Sequence, residues 1–90
     1  MNSPCWLYWT DGGVAEVVET NGVVATLHST RHAATGTPLS ATTPLKQGTT
    51  IRFKVKDCRR LNSEQFMLFG RWLDLPKAMR ELLVSASRAE

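Results

Sequence analysis

The chain is expected to fold as a mostly β protein, a small six-stranded antiparallel β-barrel with a C-terminal α-helix over one open end. Three observations carry that expectation. Ninety residues supply one hydrophobic core and not two, so residues 1–90 read as a single domain. Short β-branched and aromatic runs recur between Gly, Pro and Asn turn signals, and in the clearest of them Ile51, Phe53 and Val55 alternate with Arg52, Lys54 and Lys56. After Asp74 the period changes, with Met79, Leu82, Leu83 and Ala86 at i, i+3, i+4 and i+7. Strands of this length bury their apolar faces and lose their free edges together by closing into a barrel.

Taken in order, Cys5–Thr10 is an aromatic strand ending at the turn Asp11-Gly12-Gly13. Alternation through Trp6, Leu7, Tyr8 and Trp9 requires part of that aromatic run to face outward. Val14–Glu19 and Val23–Ser29 flank Thr20-Asn21-Gly22, where Asn-Gly fits a type I′ hairpin. Thr30–Pro38 reads as an exposed loop, Leu39–Thr43 as a weak strand and Pro44–Gly48 as a turn. Thr49–Lys56 is the amphipathic strand, and Asp57–Glu64 is expected to be a polar connection. Gln65–Leu73 is nearly continuously apolar, and Gly70 within it signals a bulge or a close backbone approach. The helix is expected over about 76–88, with Asp74 as its N-cap, Pro76 in the first turn and a Lys77–Glu81 pair on its outer side.

Eleven Lys and Arg against eight Asp and Glu give a net charge of +3. That charge is unevenly placed. Residues 1–30 carry three acids and no cation, a net −3, while residues 31–90 carry eleven cations and five acids, a net +6. Arg52, Lys54, Lys56, Arg59 and Arg60 put five cations into nine positions, a candidate face for phosphates or an acidic protein surface. A solvated barrel exterior is the structural alternative.

No catalytic, metal or cofactor site is expected. The nucleophile-elbow, zinc-helix, phosphate-loop and dinucleotide motifs are all missing from the sequence. His28 and His32 straddle the end of a strand, where a spacing of four does not place two side chains on one face. Cys5 and Cys58 lack metal-ligand spacing and read as reduced thiols; Cys58 beside Arg59 and Arg60 is the candidate for a lowered pKa. No stretch reaches the length of a membrane span and the first residues do not read as a signal peptide, so a cytoplasmic protein is expected.

From about Thr30 to Leu75 the chain resembles the PilZ domain, a small bacterial barrel with a C-terminal helix known for binding cyclic di-GMP. The resemblance lies in the loop ending at Gly36, in LSATTPLKQGTTIRF (39–53) and in FMLFGRWL (66–73). The ligand-binding members of that family carry an R-x-x-x-R motif in the N-terminal arm, and residues 1–30 contain no arginine. Their [DN]-x-S-x-x-G motif aligns on Arg31–Gly36, where Gly36 is kept, Arg31 stands in place of the acceptor and Ala33 in place of the hydroxyl. Arginine accepts no hydrogen bond and alanine makes none. The resemblance therefore implies a non-enzymatic adaptor acting through another protein in cyclic di-GMP, pilus or motility regulation, without cyclic di-GMP in the usual mode. Two alternatives stand beside it. One is a barrel that binds RNA or single-stranded nucleic acid through Arg52–Arg60, and the other is a remodelled cyclic di-GMP site using Arg31 with Arg59, Arg60 or Arg71.

Overall fold

The computed structural model describes residues 5–44 and 49–87, so Leu45–Gly48 of the expected turn and Arg88 at the end of the expected helix lie outside the described residues. Six strands and one helix follow in order: β1 Cys5–Trp9, β2 Val14–Thr20, β3 Val24–Ser29, β4 Pro38–Thr42, β5 Thr50–Arg60, β6 Phe66–Leu73 and α1 Lys77–Ser87. All neighbouring strands pair antiparallel, and the sheet closes in the order β1-β2-β3-β6-β5-β4. The mostly β class, the six-strand count, the closed barrel and the C-terminal helix all agree with the sequence reading.

Alternation decides which side chains fill the interior. Leu7, Trp9, Ala15, Leu27, Ile51, Phe53, Val55, Leu68 and Trp72 point inward and are buried. Phe53 and Trp72 meet edge to face with centroids 5.1 Å apart, an arrangement that suits the ring quadrupoles. Gly70 belongs to this interior, because a Cβ there would collide with the Lys54 carbonyl oxygen and with the Phe53 ring. The close approach anticipated at Gly70 is present, and the accompanying bulge lies on the partner strand, between Val55 and Asp57.

That bulge corrects one sequence expectation. Asp57–Arg60 continue β5 instead of forming a connection, since Lys56 is the extra residue and the pairing resumes at Asp57 opposite Phe69. The polar character that suggested a loop reflects an outer strand face. The Asn21 turn differs too. Only Gly22 takes positive φ there, so the hairpin is not type I′; Asn21 Oδ1 instead accepts from the Val23 and Val24 amides.

At the end of β6 the chain turns through Asp74 in a left-handed conformation, φ 50°. Asp74 is not the helix cap, because the Arg80 amide donates to the Pro76 carbonyl and the first helical turn starts there. Met79 and Leu83 are buried, whereas Leu82 is exposed and no ion pair joins Lys77 to Glu81. The helix packs on β1 and β2 and closes the end of the barrel that carries the β2–β3 turn. The opposite end is closed by the loop between β3 and β4. There Ser29, buried on β3, accepts hydrogen bonds from Trp9 Nε1 and the Arg31 amide, each 2.9 Å, and donates to the Arg31 carbonyl oxygen.

Candidate functional site

The seven candidate cations do not converge on one point. Arg31 lies in the loop after β3, where its guanidinium meets Asp11 at 3.4 Å. Ala33, two residues on, is buried against the core, and Gly36 adopts φ 90° and donates its amide to the Val55 carbonyl. The three positions aligned with the family motif are thus used to seal the barrel. Arg71 sits on the outer wall of β6 opposite Lys54 and Val24, five residues along the strand from the Phe66 end that neighbours this loop.

The other cations line one wall. On the outer face of β5 lie Arg52, Lys54 and Arg59, with Lys56 exposed at the bulge and Arg60 at the strand end. Arg52 approaches Asp74 at 4.0 Å and Arg59 approaches Asp57 at 3.4 Å, both between exposed groups and hence worth little to stability. Lys54 and Arg71 face each other directly across the β5–β6 pair, and neither meets a carboxylate among the described residues. Like charges in that position repel. The arrangement costs folding free energy, and an anion bound over it would recover that cost.

Aromatic and apolar side chains share this wall, which the sequence reading missed. Because Arg71 faces outward, period two places Phe69 and Met67 on the same face; Phe69 is 42% exposed and stands across from Asp57. The residue Arg71 was the available signal, but FMLFGRWL reads as uniformly apolar and hides it. Phe69, Met67 and Leu61 line a hollow of about 400 Å³ together with Asp57, Arg59 and Arg60. Beyond it the Arg60 guanidinium lies 5.9 Å from the centroid of Phe66, and His32 meets the same ring edge-on at 5.4 Å. A second hollow on the far side of Phe69 is lined by Glu19, Asn21 and Thr26.

The opposite wall, β1 and β2, is of the other sign. Trp6 and Tyr8 face outward there, 37% and 47% exposed, beside Glu16, Glu19 and the bulged Val18. Their outward placement agrees with the alternation expected for this run. Trp9, Phe53 and Trp72 supply the aromatic core, while Trp6, Tyr8 and Phe69 do not belong to it.

Neither histidine nor cysteine chemistry gathers at these walls. His28 lies on β3 between Glu16 and Met67, His32 rests on Phe66, and no group of three His, Cys, Asp or Glu able to hold a metal occurs among the described residues. Burial, reinforced by the nearby Glu16 carboxylate, pushes the Cys5 thiol up to about 11, so it is no nucleophile at neutral pH. Cys58 is half-buried and packs against the core. No helix among the described residues is long and apolar enough to cross a membrane. No family model, curated protein or solved structure matches the chain, and the barrel with its helix is consistent with the PilZ resemblance without establishing it.

Proposed function

We propose that the protein is a non-enzymatic interaction domain whose outer β5–β6 wall docks an acidic, aromatic-bearing surface of another protein. The observation that carries this reading is the exposed Phe69, set beside Met67 and Leu61 in a hollow and flanked along the strands by Arg59, Arg60, Lys54 and Arg71. An apolar anchor ringed by charge is the composition of an interface centre with its rim. On the PilZ-like reading the partner belongs to cyclic di-GMP, pilus or motility signalling. Cyclic di-GMP itself is not the ligand in the family's usual mode, since Arg31 pairs with Asp11 and Ala33 is turned into the core.

A photocrosslinking residue placed at Phe69 tests this in the native host. One discrete adduct is expected, suppressed by Arg59→Glu and missing when the same probe replaces Glu81, which is exposed on the helix away from both walls. Equal labelling from both positions would refute a localised docking wall. A second reading, single-stranded nucleic acid, is favoured by one observation: Phe69 on β6 shares the wall with cations of β5, so stacking and phosphate contact are offered by neighbouring strands. It ranks second because Asp57 stands directly opposite Phe69 and the hollow beside the ring is lined by the aliphatic Leu61 and Met67. Steeply salt-dependent binding of a short oligonucleotide, lost with Lys54→Glu, would reverse that ranking.

A further inference from the structure

The strand order puts two dissimilar walls on opposite sides of one barrel. The β1–β2 pair is separated from the β6–β5 pair by a single strand on each side, β3 on one and β4 on the other. One wall offers Trp6 and Tyr8 with Glu16 and Glu19, and neither carboxylate meets a cation among the described residues. The other offers Phe69 with Lys54, Arg59 and Arg71. An acidic, aromatic-bearing surface is the partner chemistry inferred above for the β5–β6 wall, and this chain carries such a surface itself.

We propose that the β1–β2 wall of one copy docks on the β5–β6 wall of the next, so that the protein associates head to tail. This rests on the docking reading of the β5–β6 wall and names a second copy as its occupant. Charge complementarity chooses the second copy and also sets the mode. Two like walls would bring Lys54 and Arg71 against their own duplicates, whereas unlike walls bring cations against Glu16 and Glu19. A contact between unlike patches leaves one of each free on every pair, so it propagates; with the patches on opposite sides of the barrel, it extends as an open string instead of closing on itself.

A double and a triple variant test it. Glu16→Arg with Glu19→Arg reverses the acidic wall, and Lys54→Glu with Arg59→Glu and Arg71→Glu reverses the cationic one, where Arg52, Lys56 and Arg60 are then outnumbered by acids that include Asp57 and Asp74. The second keeps a like-charged pair across β5–β6 and gives up one exposed ion pair, Arg59–Asp57. Amide spectra serve to verify that both remain folded. In sedimentation velocity at low salt, the wild type is expected to gain mass beyond a dimer as concentration rises toward about 1 mM, and to revert toward monomer as salt screens the walls. Each folded variant alone remains monomeric, because its two walls now share one sign.

Reversal leaves each variant with walls of one sign only, cationic on both in the first and acidic on both in the second, so unlike walls meet only in a mixture. An equimolar mixture is therefore expected to restore association between the two variants, in 1:1 proportion and growing again with concentration, where neither associates alone. Wild type that stays monomeric throughout, variants that self-associate as well as wild type does, or a mixture that fails to associate would each overturn the proposal. If the wild type is monomeric while the probe at position 69 still captures one other protein, self-association falls and the docking wall stands. If the probe captures nothing as well, both fall.

Discussion

Ser29 shows how much of this fold hangs on one hydroxyl. Facing the interior from β3, it takes the Trp9 indole N–H and the Arg31 amide and gives its own proton to the Arg31 carbonyl, tying β1, β3 and the loop after it together. Replacing it with alanine leaves a buried indole N–H without its acceptor. A loss of about 1–3 kcal/mol is expected for Ser29→Ala, read as a lower urea midpoint at unchanged slope. The cost falls on the end of the barrel where Ala33 is packed, so the loop should exchange its amides faster in the variant than in the wild type. Nothing in the order of residues announced this role. A serine at the end of a strand reads as a solvent-facing boundary, and only the closure of the barrel turns it inward.

Among the elements, β5 was legible where its period held and illegible where the period broke. Ile51, Phe53 and Val55 alternate cleanly with cations, so their inward direction followed from spacing alone. Past Val55 one extra residue shifts the phase, and Asp57–Arg60, read as a connection, prove to be strand. The same physics explains the incomplete view of the site. Charge along β5 was visible in the chain, but the position of Phe69 depends on which strand lies beside β5 and in what register, and those are long-range properties. The helix was legible through Met79 and Leu83, while its start was not, because the left-handed Asp74 depends on where β6 must hand the chain over to the barrel end. The β5–β6 pair also yields a prediction of opposite sign to most. Lys54→Glu converts a repulsive cross-strand pair with Arg71 into an attractive one, so the variant is expected to be more stable by about 0.2–1 kcal/mol in urea denaturation. Weaker docking in the same variant would identify the repulsion as a cost retained for binding.

For the molecule as a whole, the Cα radius of gyration of 11.9 Å is close to the roughly 12 Å expected of a chain this long, so the barrel has little interior to spare. A domain of this size is held by a few large contacts. Met79 and Leu83 are the buried face of the helix, and each covers the same barrel end. Leu83→Ala is expected to cost about 2–5 kcal/mol, a large share of the total stability of a small domain, with a correspondingly lower thermal midpoint.

The closed strand order has one more consequence, which concerns how a partner can be read. In an open sheet, part of the affinity for a partner comes from main-chain groups at an unpaired edge, which any extended segment satisfies whatever its side chains. Here β4 returns to β1 and every strand has a neighbour on both sides, with the β1–β4 seam held by the Tyr8–Thr42 and Trp9–Ala41 pairs and the other seams paired at greater length. Away from that short seam, discrimination between partners is therefore vested in side chains. Substitutions on the outer walls can redirect the protein from one partner to another without reopening the hydrogen-bonded cylinder beneath them.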